Sequence, residues 1–125
     1  MEPLYTPGFN IEDSFYSPAM RVGNQVFISG QVPLDPKTGA VVGSDMTTQA
    51  KQAFANLEGL LKHNKMGMKN LAKVTLYISD VDAMGAMNKV YADVMGGHKP
   101  ARACVEVSRL VLDMMIEIEA IAVVE

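Results

Sequence analysis

Between Ala50 and Ile78 the repeat of the apolar residues changes from helical to two-residue, and that switch limits the chain to folds in which helices pack on a sheet. Ala50, Ala53, Phe54, Leu57, Leu60 and Leu61 make one stripe on a helix predicted from Thr47 to Asn64. Asp45 or Thr47 can cap its start, and Gly67 lies just past its end. Residues 71–79 then alternate as a strand, with Val74, Leu76 and Ile78 on one side and Lys73, Thr75 and Tyr77 on the other. A second helix is predicted from a cap at Asp82 to Met95, with the stripe Met87, Val90, Tyr91 and Val94 and the stop signal Gly96-Gly97 followed by Pro100.

Upstream, residues 1–18 read as a loop with at most a short strand, broken by Pro3, Pro7, Gly8 and Pro18. Residues 19–22 and 25–31 read as strands around a tight Gly23-Asn24 turn, followed by the turn-rich run Pro33–Gly39. Downstream, Ala103, Val105 and Val107 alternate with Arg102, Cys104, Glu106 and Ser108, and Ile116, Ile118, Ala120 and Ala122 alternate with Met115, Glu117 and Glu119. The order β-β-α-β-α-β-β predicts a single α+β domain over residues 1–125, one β-sheet with two helices packed on one face.

The length suits one domain and one shared core. Acidic residues outnumber basic ones, 14 to 11, and no basic stripe of the kind that grips nucleic acid is present, so no nucleic-acid partner is expected. No apolar run is long enough for a membrane span, and the start of the chain lacks a basic segment followed by an apolar one. A single cysteine, Cys104, excludes an internal disulfide and makes the cytoplasm the expected compartment. The ten methionines, with Met84, Met87 and Met95 near helical spacing, read as core filling. Two isolated histidines, His63 and His98, and the spacing of the glycines support neither a zinc site nor a phosphate loop.

If residues 110–113 make a short hairpin connection, the last two strands pair antiparallel. Matching their apolar faces then puts Arg102, Cys104 and Glu117 together on the face that the helices leave uncovered. Phe27, Tyr77 and Met115 would join them there, and a half-apolar open face predicts a homo-oligomer with Arg102 near a subunit boundary. Each of these residues has a plainer reading. Arg102 can be a surface ion-pair partner or a fork for a carboxylate. Glu117 and Glu119 can be a solvated face or can orient water. Cys104 can be a small buried hydrophobe or a nucleophile. Residue chemistry alone therefore reaches a small-carboxylate site and stops short of a reaction.

Three segments taken together carry a resemblance. Phe27-Ile-Ser-Gly-Gln-Val-Pro-Leu-Asp-Pro-Lys-Thr-Gly39, Asn88-Lys-Val-Tyr91, and Pro100-Ala-Arg-Ala-Cys-Val-Glu-Val-Ser-Arg-Leu110 with Ile116-Glu-Ile-Glu-Ala-Ile-Ala122 resemble the ordered motifs of the RidA (YjgF) family. The likeness runs from about residue 16 to the end. It implies a chorismate-mutase-like subunit, a homotrimer with sites in the clefts between subunits, and hydrolysis of 2-iminobutanoate and 2-iminopropanoate to 2-keto acids and ammonia without a cofactor or metal. By the same resemblance Arg102 binds the substrate carboxylate and Glu117 positions the attacking water. Cys104 contacts substrate through its backbone, and Tyr16, Ser29, Gly30 and Asn88 line the pocket. Ala103 stands where the family commonly has Ser, Phe15 where Pro is common, and Leu110–Met115 replaces a frequent Leu-Pro-Lys-Gly-like turn. A carboxylate-binding or chaperone-like trimer without catalysis, and a ribonuclease or translation inhibitor, are the competing functions.

Overall fold

In the computed structural model, which describes all 125 residues, the strands are β1 (Glu2–Leu4), β2 (Ala19–Val22), β3 (Gln25–Gln31), β4 (Leu71–Ile78), β5 (Ala101–Glu106) and β6 (Ile116–Val123). The helices are α1 (Met46–His63) and α2 (Met84–Met95). One mixed sheet in the order β1-β2-β3-β6-β4-β5 carries both helices. β6 is antiparallel to both β3 and β4, so those two strands run parallel with β6 between them, and α1 spans the crossover.

Helix α1 starts at Asp45, whose carboxylate accepts a hydrogen bond from the Thr48 amide at 3.0 Å. Its predicted stripe is buried: Phe54, Leu57, Leu60 and Leu61 are each 1% exposed or less, worth about 1.5–3 kcal/mol apiece. They pack on Val26, Ile28, Val74, Leu76, Ile78, Ile116 and Ile118 of the sheet. Met46, Met66, Met68, Met87, Met95 and Met114 are buried, as the core-filling reading expects. Helix α2 begins two residues later than predicted. Asp80 caps a short 3-10 turn over Val81–Ala83 by accepting from the Asp82 amide, and that turn runs into α2 at Met84. Gly96 closes the helix at φ 57°, a left-handed position that glycine takes without strain.

The expected hairpin between the last two strands does not form. β5 lies at the sheet edge and pairs in parallel with β4, while β6 lies on the other side of β4. The physical reason is the helix between β4 and β5: a strand delivered by a crossover helix returns parallel to the strand it left. The correction changes which residues share a face. Val74, Leu76 and Ile78 point to the helices, and they stand opposite Arg102, Cys104 and Glu106. Thr75 and Tyr77 point to the open face, opposite Ala103 and Val105 on one side and Glu119 and Glu117 on the other. Arg102 and Cys104 are therefore on the helix side of the sheet and Glu117 is on the open side. Cys104 packs against the core, and Met115 is also half-buried against it, so neither adds to the open face.

Candidate functional site

The residues singled out from the sequence form two separate groups. The first is built on β5 and α2. Arg102 follows Pro100, which can take no part in α2, on an edge strand whose outer side is unpaired. Its Nη2 donates to Asn88 Oδ1 at 2.6 Å, and its Cζ stands 4.6 Å above the centre of the Tyr91 ring. Asn88 and Tyr91 are three apart on α2 and so share a face. Burial pushes the Tyr91 hydroxyl above its ordinary range, and the nearby guanidinium works against that shift. The ion pairs of the chain are Lys62–Glu58 and Arg109–Asp113, so Arg102 is paired with no carboxylate. An exposed guanidinium fixed by an amide and a π face presents its remaining N–H groups outward, the geometry a planar anion needs. Tyr91 stands in the predicted core stripe and in the Asn88-Lys-Val-Tyr91 motif, with no site role expected of it. It does meet Phe54 edge-on at 5.8 Å, but it also supports Arg102, and its i,i+3 spacing from Asn88 was the available signal.

The second group surrounds Glu117. Strand register shifts between Ile28 and Gln31, a bulge that turns Gly30 toward β6. A Cβ on Gly30 would fall 2.5 Å from Glu117 Oε2, so only glycine lets that backbone approach the carboxylate. Ser29 is taken up locally, its Oγ donating to the Ser17 carbonyl at 2.7 Å, which ties the bulge to the segment carrying Tyr16. Tyr16 packs on Phe9, with ring centres 5.3 Å apart. Tyr16 and Gly30 also border a cavity of about 450 Å³ whose walls include Phe9, Pro18, Val32 and Leu34. Burial pushes the Glu117 carboxyl above the usual carboxylate range, and Glu119 on the same face pushes it the same way. Glu119 accepts a hydrogen bond from the Tyr77 hydroxyl, which is itself held above its ordinary range by that bond.

Tyr16, Ser29, Gly30 and Glu117 are thus brought together, as are Asn88, Arg102 and Cys104, but the two groups do not meet within one chain. No cluster of three or more His, Cys, Asp or Glu side chains offers a metal site. No helix is long and apolar enough to cross a membrane.

Residues 12–124 match the sequence pattern of the family described as Endoribonuclease L-PSP. A RutC family protein of Pyrococcus horikoshii is 47% identical over 107 residues, which cover 86% of this chain and 85% of the relative. A protein of Salmonella typhimurium named 2-iminobutanoate/2-iminopropanoate deaminase is 39% identical over 86% of each chain. The crystal structure of the YjgF gene product of E. coli superposes with a TM-score of 0.89 at 32% identity, covering 98% of each chain. With the family pattern spanning nearly the whole chain and the fold matching end to end, this chain belongs to the Endoribonuclease L-PSP family, the group that includes the YjgF and RidA proteins.

Proposed function

We propose that the protein hydrolyses small 2-imino acids, such as 2-iminopropanoate and 2-iminobutanoate, to 2-keto acids and ammonia, in a homotrimer whose sites join the Arg102 group of one subunit to the Glu117 group of the next. The observation that carries this reading is Arg102: a guanidinium held by Asn88 and Tyr91, at an open sheet edge, with no carboxylate of its own to bind. The open face supports the assembly, because Phe27 and Val105 are 43% exposed there beside Tyr77 and Glu119. The name of the Salmonella relative supports the reaction.

Arg102 binds the substrate carboxylate and so holds the imine carbon in place, turning an encounter into a preorganised step. Glu117 of the neighbouring subunit takes a proton from water as its oxygen bonds to that carbon, and the proton passes to the imine nitrogen. The carbinolamine then collapses: the C=O bond forms, the C–N bond breaks, and the nitrogen leaves as ammonia with the hydroxyl proton. A carboxyl raised by burial is better matched to this shuttle than an ordinary one. No step draws on a cofactor or metal.

The test is direct. Imine made in place by an amino-acid oxidase is followed with and without the protein. Wild type should accelerate its loss, and Arg102→Ala should lower kcat/KM by about 10²-fold or more while the trimer persists. Wild-type turnover in that variant would remove the proposal. Binding of keto acids with no turnover in wild type would leave the non-enzymatic reading instead.

A further inference from the structure

Gln49 is 3% exposed, the one polar residue among the buried side chains, and both ends of its amide are used. Its Nε2 donates to the Gly43 carbonyl at 3.1 Å, and its Oε1 accepts from the Met115 amide at 2.8 Å. The Met115 carbonyl in turn accepts from the Ser79 amide at 3.1 Å. The residue two before Glu117 is therefore gripped from both sides.

Gln52 and Asn56 lie on the same row of α1 as Gln49, within a narrow arc of the helix. Gln52 Nε2 donates to Asn56 Oδ1 at 2.9 Å. Asn56 Nδ2 donates to the carbonyls of Val32 and Leu34, at 2.8 and 2.9 Å. Those carbonyls belong to the segment leaving β3 just after Gly30, and Gly30 is the backbone that lies against Glu117. Both walls around the carboxylate are thus tied to one helix by uncharged amides. The amides also satisfy irregular backbone that the sheet ladder does not serve.

We infer that the Gln49–Gln52–Asn56 row of α1 is the positioning element of the Glu117 half of the site: it sets the gap between Gly30 and Glu117 and thereby the aim of the carboxylate. The inference rests on the imine-hydrolysis reading for its kinetic consequence. Arg102 lies on another strand and its hydrogen bond is to α2, so the grip on the substrate carboxylate does not pass through this row.

The experiment compares wild type with Gln49→Met, which keeps the side chain's length and removes its hydrogen bonds. Activity is measured per folded trimer, well below the unfolding temperature. We expect kcat to fall about tenfold with KM held within about twofold. The acid limb of the kcat profile should move to lower pH, as a loosened Glu117 gains water. A purely structural role would lower the melting temperature and leave that limb in place. Wild-type kcat with an unmoved limb in folded Gln49→Met overturns the inference. If Gln49→Met does not fold, Asn56→Leu at the half-buried end of the row carries the same expected result and the same overturning one. If wild type hydrolyses no imine, the functional reading fails and the row is judged separately by hydrogen exchange. The Met115 amide should be protected in wild type and exchange faster in Gln49→Met, and unchanged exchange refutes the positioning role.

Discussion

β5 and β6 each carry one of the two residues on which the proposed chemistry turns, and they hold them in opposite ways. β6 is central, paired on both edges, and its inward residues Ile116, Ile118, Ala120 and Ala122 are 5% exposed or less. Glu117 is consequently locked on the open face. β5 is an edge strand with no fully buried residue, and Arg102 reaches outward from it, steadied only by α2. A central strand fixes the face of every residue it carries. An edge strand leaves a long cationic side chain at the rim of the sheet, where the proposed boundary site needs it.

That contrast can be broken most decisively by mixing subunits. Arg102→Ala and Glu117→Gln proteins should each be nearly inactive. Coassembled from denaturant in equal amounts, they should recover roughly a quarter of wild-type activity, because each mixed trimer contains one intact boundary. No recovery, with mixed trimers verified by mass, would mean that one chain supplies both residues. Next in size is Gly30→Ala. Its methyl group would meet the Glu117 carboxylate, so kcat should drop on the order of 10²-fold while KM, set by Arg102, stays close to wild type. Tyr91→Leu acts on the other half. Removing the ring beneath the guanidinium costs about 0.5–1 kcal/mol at an exposed site, read as a KM increase of a few fold with little change in kcat.

The smallest effect is on stability. Burial, and secondarily Glu119, raise the Glu117 carboxyl, so between the ordinary carboxylate value and the raised one the folded protein binds more proton than the unfolded chain. Stability from this group therefore falls as pH rises from the ordinary carboxylate value through the raised one. Glu117→Gln should melt slightly higher than wild type at neutral pH, and the difference should vanish below the ordinary carboxylate range. A variant that melts lower at neutral pH would contradict the assigned direction.

What the sequence reveals follows from how local each feature is. Helix α1 was legible to within a residue, because Asp45, the apolar stripe and Asn64 all act within a few turns. Strands β3 and β4 were legible from alternation and flanking turns. The start of α2 was less so, since both Asp80 and Asp82 can cap and only the 3-10 turn chooses between them. The partner of β5 is not legible from alternation. Its two faces are similarly mixed, so alternation names a period without naming a side, and only the crossover through α2 implies a parallel return. The candidate site residues come from family motifs, which carry no sign of their division into two groups. Neighbouring motifs in the chain say nothing about opposite faces of a sheet. Gly30 shows the same limit: the bulge that brings it to Glu117 has no signature in composition.

The slot that β6 occupies has a temporal consequence. The two strands it separates are finished long before it is made, and each borders a gap until residues 116–123 arrive. During synthesis the chain can offer the ribosome's surroundings a β1-β2-β3 piece and a β4-β5 piece, but no closed sheet and no Glu117. Closure of the sheet is therefore a single step that waits on β6. Quality control would meet two half-sheets, each with one raw inner edge, from the completion of β4 at Ile78 until β6 is made.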